Sequence, residues 1–98
     1  EWHMSAYIIV QVSVNDPGRF EKYKDMVPPT LKPYGGRFLV RGGAVENLEG
    51  TWNPARTVVI GFDSMEKAKA WWSSPEYADA KALRQATADT EMIVVEGA

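Results

Sequence analysis

Residues Gly35 to Arg56 read GGRFLVRGGAVENLEGTWNPAR, and the fold turns on them. Two glycine pairs bracket a short strand over Gly36 to Arg41, which Ala44 to Leu48 can extend beyond Gly42-Gly43. Such a pair marks a bulge or a close backbone approach. Neither pair precedes a helix with the glycine spacing of a phosphate loop. Glu49 to Pro54 then turns the chain. Arg56 to Phe62 returns as a strand, with Val58, Ile60 and Phe62 on one face and a connection short enough for a hairpin. Strict alternation sends Phe38 and Val40 to the core. It places Arg37 and Arg41 together on the opposite face, about 13 Å apart at strand rise.

Working outward, Ala6 to Val14 is β-branched, with Ile8, Val10, Val12 and Val14 on one face. Asn15-Asp16-Pro17 is a helix start, a capping side chain followed by proline. Phe20, Tyr23, Met26 and Val27 form its apolar stripe, and Pro28-Pro29 is expected to break or kink it. A short piece over Thr30 to Tyr34 ends at Gly35. Downstream, Asp63 or Ser64 caps a helix bearing Met65, Ala68, Trp71 and Trp72. Ser74-Pro75-Glu76 restarts a helix running to about Ala88. Thr90 to Glu96 is a last strand, read with Ile93 and Val95 toward the helices.

The order β-α-β-β-α-β is the split arrangement of a ferredoxin-like α+β fold, an antiparallel sheet with its helices on one face. The other face carries Tyr7, Ile9, Leu39, Val59, Met92 and Val94 beside polar residues. An apolar face of that size implies a cover. A second copy of the same sheet is the simplest one, so a homodimer through the sheet face is expected.

At 98 residues the chain is one domain, with 45% apolar and 24% charged residues as in an ordinary globular protein. A formal charge of -2 offers no basic face for nucleic acid and little for an anionic membrane. No apolar run approaches the roughly 20 residues of a membrane span. There is no cysteine, hence no disulfide or thiolate chemistry, which suits a cytoplasmic setting. Glu1-Trp2-His3 is read as a cloning remnant, leaving Met4 to Ala98 as the domain. His3 is the sole histidine. Without it, serine triads, imidazole bases, axial haem ligation and most zinc sites are excluded.

The linked motifs YGGRFLVRGG, LEGTW-x-PAR, WWSSPEY and a helix bearing Leu83-Arg84 resemble the domain of unknown function 1330 family, over nearly all of Met4 to Ala98. The resemblance implies a dimeric α+β barrel with a cavity between sheet and helices. Enzymatic relatives in that superfamily include cofactor-independent monooxygenases, muconolactone isomerases and haem-using enzymes. The histidine that several of them use is missing here. The family's recurring positions fall on Tyr23, Gly36, Arg41, Gly42, Gly43, Glu49, Gly50, Arg56, Trp71, Ser74, Tyr77 and Arg84.

Candidate site residues follow from chemistry. Arg37, Arg41 and Arg56 can clamp a carboxylate or enolate through guanidinium hydrogen bonds. Arg37 and Arg41 can equally be held by Glu49, Glu96 or a glutamate of a partner chain. Trp52 can wall a planar ligand, and Tyr23 can donate a proton, although a tyrosine is a poor base. Glu49 is the candidate general base, provided that burial raises its pKa. The acidic residues suggest no metal site, and no cofactor is implied. Two functions stay open: binding of a small organic anion with cofactor-independent proton transfer or oxidation, or a non-catalytic dimeric module that binds a metabolite or holds an assembly.

Overall fold

The computed structural model describes residues 5–98. The presumed cloning remnant, and with it His3, lies outside the described residues. Strand β1 (Ala6–Val14) leads to helix α1 (Pro17–Leu31), a 3-10 turn (Lys32–Tyr34), and strands β2 (Arg37–Arg41) and β3 (Thr57–Phe62). Helices α2 (Met65–Trp72) and α3 (Pro75–Thr87) follow, then strand β4 (Ala88–Glu96). The four strands form one antiparallel sheet in the order β2-β3-β1-β4. Helix α2 lies on β1, β3 and β4, and α1 packs beside α3. This is the ferredoxin-like α+β fold.

Local chemistry accounts for the helix starts. Asp16 accepts a hydrogen bond from the Arg19 N–H at 3.2 Å, and Pro17 stands first in α1. Ser64, rather than Asp63, caps α2 by accepting from Lys67 N–H, and Ser74 caps α3 by accepting from Tyr77 N–H. The core is built on the inner faces of the strands: Ala6, Ile8, Val10, Val12, Ile60 and Phe62 are all buried. Trp71 is fully buried against them, stacked 4.0 Å from Tyr77 and 5.7 Å from Phe62 between ring centroids.

Three expectations are corrected. First, Pro28-Pro29 does not break α1, which runs on to Leu31. Pro28 has no N–H for the carbonyl of Lys24 one turn earlier. That carbonyl is taken instead by Arg41, whose Nη2 donates to it at 2.6 Å. Both prolines face solvent, where they cost no core contact.

Second, Arg37 and Arg41 are not on one face. The β2 register pairs Phe38 with Ile60 but Val40 with Val59, so Leu39 is an extra residue in a bulge. One extra residue reverses every side chain beyond it. Val40 therefore joins Arg37 on the outer face, while Arg41 turns inward toward α1. The bulge lies at Leu39, not at Gly42-Gly43, and Ala44 to Leu48 adds no strand. Gly42 does serve a close approach: its φ is 74°, and a Cβ there would collide with the Arg56 guanidinium.

Third, β4 presents Met92 and Val94 to the helices and Ile93 and Val95 outward. A run that is apolar at all four positions has no alternation to read. Tertiary register decides it. The Thr87 carbonyl accepts from both Asn15 N–H and Asp16 N–H, at 2.7 and 3.1 Å, which pins the end of α3 to the end of β1. Ala88 then pairs with Val14, Met92 with Val10 and Val94 with Ile8.

The outer face is thereby more apolar than the alternation implied. Leu39 is 50%, Val40 40%, Ile93 58% and Val95 40% exposed. Tyr7, Ile9 and Val59 are half-buried beside them.

The tie between Arg41 and Lys24 is measurable by a double-mutant cycle. Arg41→Ala should cost about 1 kcal/mol of unfolding free energy in urea, the scale of one hydrogen bond. In a Pro28→Ala background, where residue 28 regains its own N–H, the cost should fall by half or more. Equal costs in both backgrounds would show that the carbonyl is not what Arg41 serves.

Candidate functional site

A cavity with about 30 Å³ of enclosed space lies under α1, between that helix and the inner face of the sheet. Its apolar walls include Val10, Val12, Phe20, Val27, Phe38 and Met92. Four cations border it, Lys24, Arg41, Arg56 and Arg84, and no carboxylate does.

Each cation arrives by a different route. Arg41 comes from the edge strand and is turned inward by the bulge at Leu39. Its guanidinium sits 4.2 Å from the centroid of the Phe38 ring. Arg56 comes from the end of the loop before β3, where its carbonyl accepts from Val12 N–H at 2.8 Å. Its guanidinium carbon lies 5.9 Å from the Phe20 centroid, and its Nε is buried without a hydrogen-bond partner. Arg84 comes from α3 and is only 5% exposed. Its Nε donates to the Tyr77 hydroxyl at 3.2 Å. Lys24 pairs with Glu21 at 3.0 Å at the solvent margin. Among the described residues no carboxylate lies within ion-pair distance of Arg41, Arg56 or Arg84.

Two tyrosines complete the site. The hydroxyls of Tyr23 and Tyr77 are 2.9 Å apart. Because Arg84 Nε can only donate to Tyr77, the Tyr77 proton is free to pass onward to Tyr23. With the bond in that direction, the Tyr23 O–H is left to donate into the cavity; either hydroxyl can be the donor. Burial, reinforced by the neighbouring Tyr77 hydroxyl, pushes the Tyr23 pKa far above the ordinary tyrosine value. Tyr23 is therefore a hydrogen-bond donor and not a base.

Of the residues singled out in the sequence, Arg41, Arg56 and Tyr23 meet at the cavity. Arg37 does not. It stands on the outer face in an exposed pair with Asp63 at 3.8 Å, a contact worth little. Trp52 is 66% exposed on the loop after β2, and Glu49 is exposed on the same loop. Both border a shallow surface hollow with Val40 and Thr57, so Glu49 stands apart from the cavity under α1. Sequence reasoning had no site role for Arg84. Its signal was present: Tyr77, Ala80, Arg84 and Thr87 share the buried stripe of α3, an unusual address for a guanidinium. No group of three or more His, Cys, Asp or Glu among the described residues is placed to hold a metal ion. No helix is long and apolar enough to cross a membrane.

Comparison with known proteins agrees with the fold. Residues 5–98 match the model of a domain of unknown function, DUF1330, and the chain belongs to that family. No curated protein sequence matches it. Among solved structures, a protein of unknown function from Rhodopseudomonas palustris superposes with a TM-score of 0.78 at 15% identity, covering 99% of this chain and 85% of that one. A dimeric ferredoxin-like protein of unknown function from Thermobifida fusca gives 0.62 at 20% identity, with coverage of 98% and 92%. SnoaB, a cofactor-independent oxygenase from Streptomyces nogalater, gives 0.60 at 11% identity, with coverage of 97% and 94%. At these identities the likeness is one of fold.

The Tyr23 shift has a defined pH signature. A raised folded pKa gives stability that is complete below about pH 10, the ordinary tyrosine value, and is lost as pH climbs above it. The unfolded chain ionises there while folded Tyr23 cannot. Urea midpoints should decline above that pH, and Tyr23→Phe should decline less steeply. Parallel declines would mean that Tyr23 ionises normally.

Proposed function

We propose that this protein binds a small organic anion in the cavity between sheet and helices, on Arg41, Arg56 and Arg84, with Tyr23 as a neutral hydrogen-bond donor. One observation carries the reading: three guanidinium groups converge on one cavity with no carboxylate among its lining residues. Arg84 is buried and Arg56 half-buried, while Arg41 is exposed, and burying cations without counter-charges opposes folding. An anionic occupant supplies the missing charge through bidentate, charge-assisted hydrogen bonds.

Catalysis of cofactor-independent proton transfer or oxidation is the second reading. The same donors would stabilise an enolate or phenolate, charge that grows during such reactions. The cavity offers no side-chain base, since Glu49 stands outside it and Tyr23 holds its proton. The reaction therefore suits a substrate acidic enough to ionise without help. The oxygenase named among the similar folds favours this direction only by analogy.

The working unit we propose is a homodimer, its two sheets face to face. The exposed Leu39, Val40, Ile93 and Val95 support it, as do ferredoxin-like neighbours described as dimeric.

Arg56→Met tests the site. It keeps the apolar stem and removes an unpartnered buried donor, so the ligand-free protein should melt at the same temperature or higher. Binding of small carboxylates, followed by calorimetry, should weaken at least about tenfold, the loss of ~1.4 kcal/mol expected from one charged hydrogen bond. Undiminished affinity would remove Arg56 from the site. The dimer is tested separately: Ile93→Lys should shift the sedimentation mass from two protomers to one at micromolar concentration, and a wild-type protein sedimenting as one protomer would sink it.

A further inference from the structure

The cavity under α1 has room for little more than a water-sized group, so an organic ligand needs space beyond it. Arg84, where the cavity meets its neighbour, has a second side. Besides bordering the cavity, it lines a groove of about 500 Å³ between α2, α3 and the free edge of β4. That volume is in the range of small-molecule sites.

We infer that this groove holds the apolar body of an amphipathic monocarboxylate, whose head meets Arg84 and Thr90. The inference rests on the anion-binding reading of the arginine cluster. The groove walls are Ile8, Ala68, Met92 and Val94, with the Trp72 ring at the rim. Trp72 is 43% exposed, and its ring is steadied by Lys81, whose Nζ lies 3.9 Å from the ring centroid and donates to the Trp72 carbonyl at 2.9 Å.

Two polar groups fix where the head goes. Arg84 is 5% exposed, and its only protein hydrogen bond from the guanidinium among the described residues goes from Nε to Tyr77. Its terminal N–H groups make no further hydrogen bond within 3.5 Å among the described residues and are not sealed from solvent, with Tyr23 close by. The Thr90 Oγ1 on the same groove is buried with no partner. A buried hydroxyl and open guanidinium N–H groups lining one groove match one carboxylate. The groove contains no acidic residue, and Lys69 adds a positive charge, so anions are selected. Beyond the head, Ile8, Ala68, Met92, Val94 and the Trp72 ring offer apolar contact, so aryl and branched alkyl acids fit.

The test compares 4-phenylbutanoate with acetate by NMR titration of the intact protein. Phenylbutanoate should bind at least tenfold more tightly and should shift the Trp72 indole N–H and the Met92 methyl. Trp72→Ala, at a half-exposed position, should weaken phenylbutanoate at least fivefold and leave acetate unchanged. Gln85→Glu, which sets a carboxylate beside Arg84 on the rim, should weaken both. Equal affinity for the two acids, or indifference of phenylbutanoate to Trp72→Ala, would overturn the groove. If Arg56→Met still weakened both acids in that case, the arginine cluster would stand without it. Conversely, sensitivity to Trp72→Ala with indifference to Arg56→Met would keep the groove and remove Arg56. Failure of either acid to bind wild-type protein would overturn both readings.

Discussion

One hydrogen bond, from the Arg41 guanidinium to the Lys24 carbonyl, couples the edge strand to the first helix. It exists because Pro28 cannot donate and because a bulge at Leu39 brings Arg41 around to the helix side. Without the bulge, Arg41 would stand outside, Val40 inside, and the cavity would lose a cation. Without the prolines, α1 would satisfy its own carbonyl and Arg41 would have no anchor on it. A strained-looking helix and an irregular strand are thus two halves of one contact.

The cavity's chemistry follows from where its cations come from. Arg41, Arg56 and Arg84 reach it from the edge strand, a loop end and a helix. None shares a local motif with another, so no segment of the chain could balance them with a neighbouring acid. Of the three, Arg84 is buried and Arg56 half-buried, and protein interiors seldom hold guanidinium groups without a carboxylate partner. Tyr23 and Tyr77 fit the same account: burial keeps Tyr23 protonated, and a protonated hydroxyl is what an anion accepts from. Glu49, by contrast, belongs to a loop facing solvent, and acid–base chemistry at the cavity gains nothing from it.

The outer face illustrates how parity changes meaning. With Met92 and Val94 inside, Ile93 and Val95 stand outside next to Val40 and Leu39. The corrected assignment makes the exposed surface more hydrophobic. A second sheet laid on this face would cover Leu39, Val40, Ile93 and Val95 together. The arginine once counted on that face, Arg41, no longer interrupts it.

How much was legible can be stated residue by residue. Asp16-Pro17, the Asp63-Ser64 pair, Ser74-Pro75 and Gly35 announced the helix boundaries, because caps and left-handed residues depend on short-range geometry. The alternation of β1 and β3 announced their inner faces, and the motifs around Gly42 and Trp71 announced the family. The gathering of Arg41, Arg56 and Tyr23 was partly legible, as candidate anion and proton donors without a shared location. What the sequence could not determine was parity and convergence. A bulge at Leu39 leaves no mark in an all-apolar trio, and an unbroken apolar run in β4 takes its facing from the Thr87 carbonyl held by Asn15 and Asp16. Arg84 joins the site only because α3 packs beside α1. Local sequence fixes dihedral preferences and caps, whereas register is a contact between distant segments, and only the tertiary structure decides it.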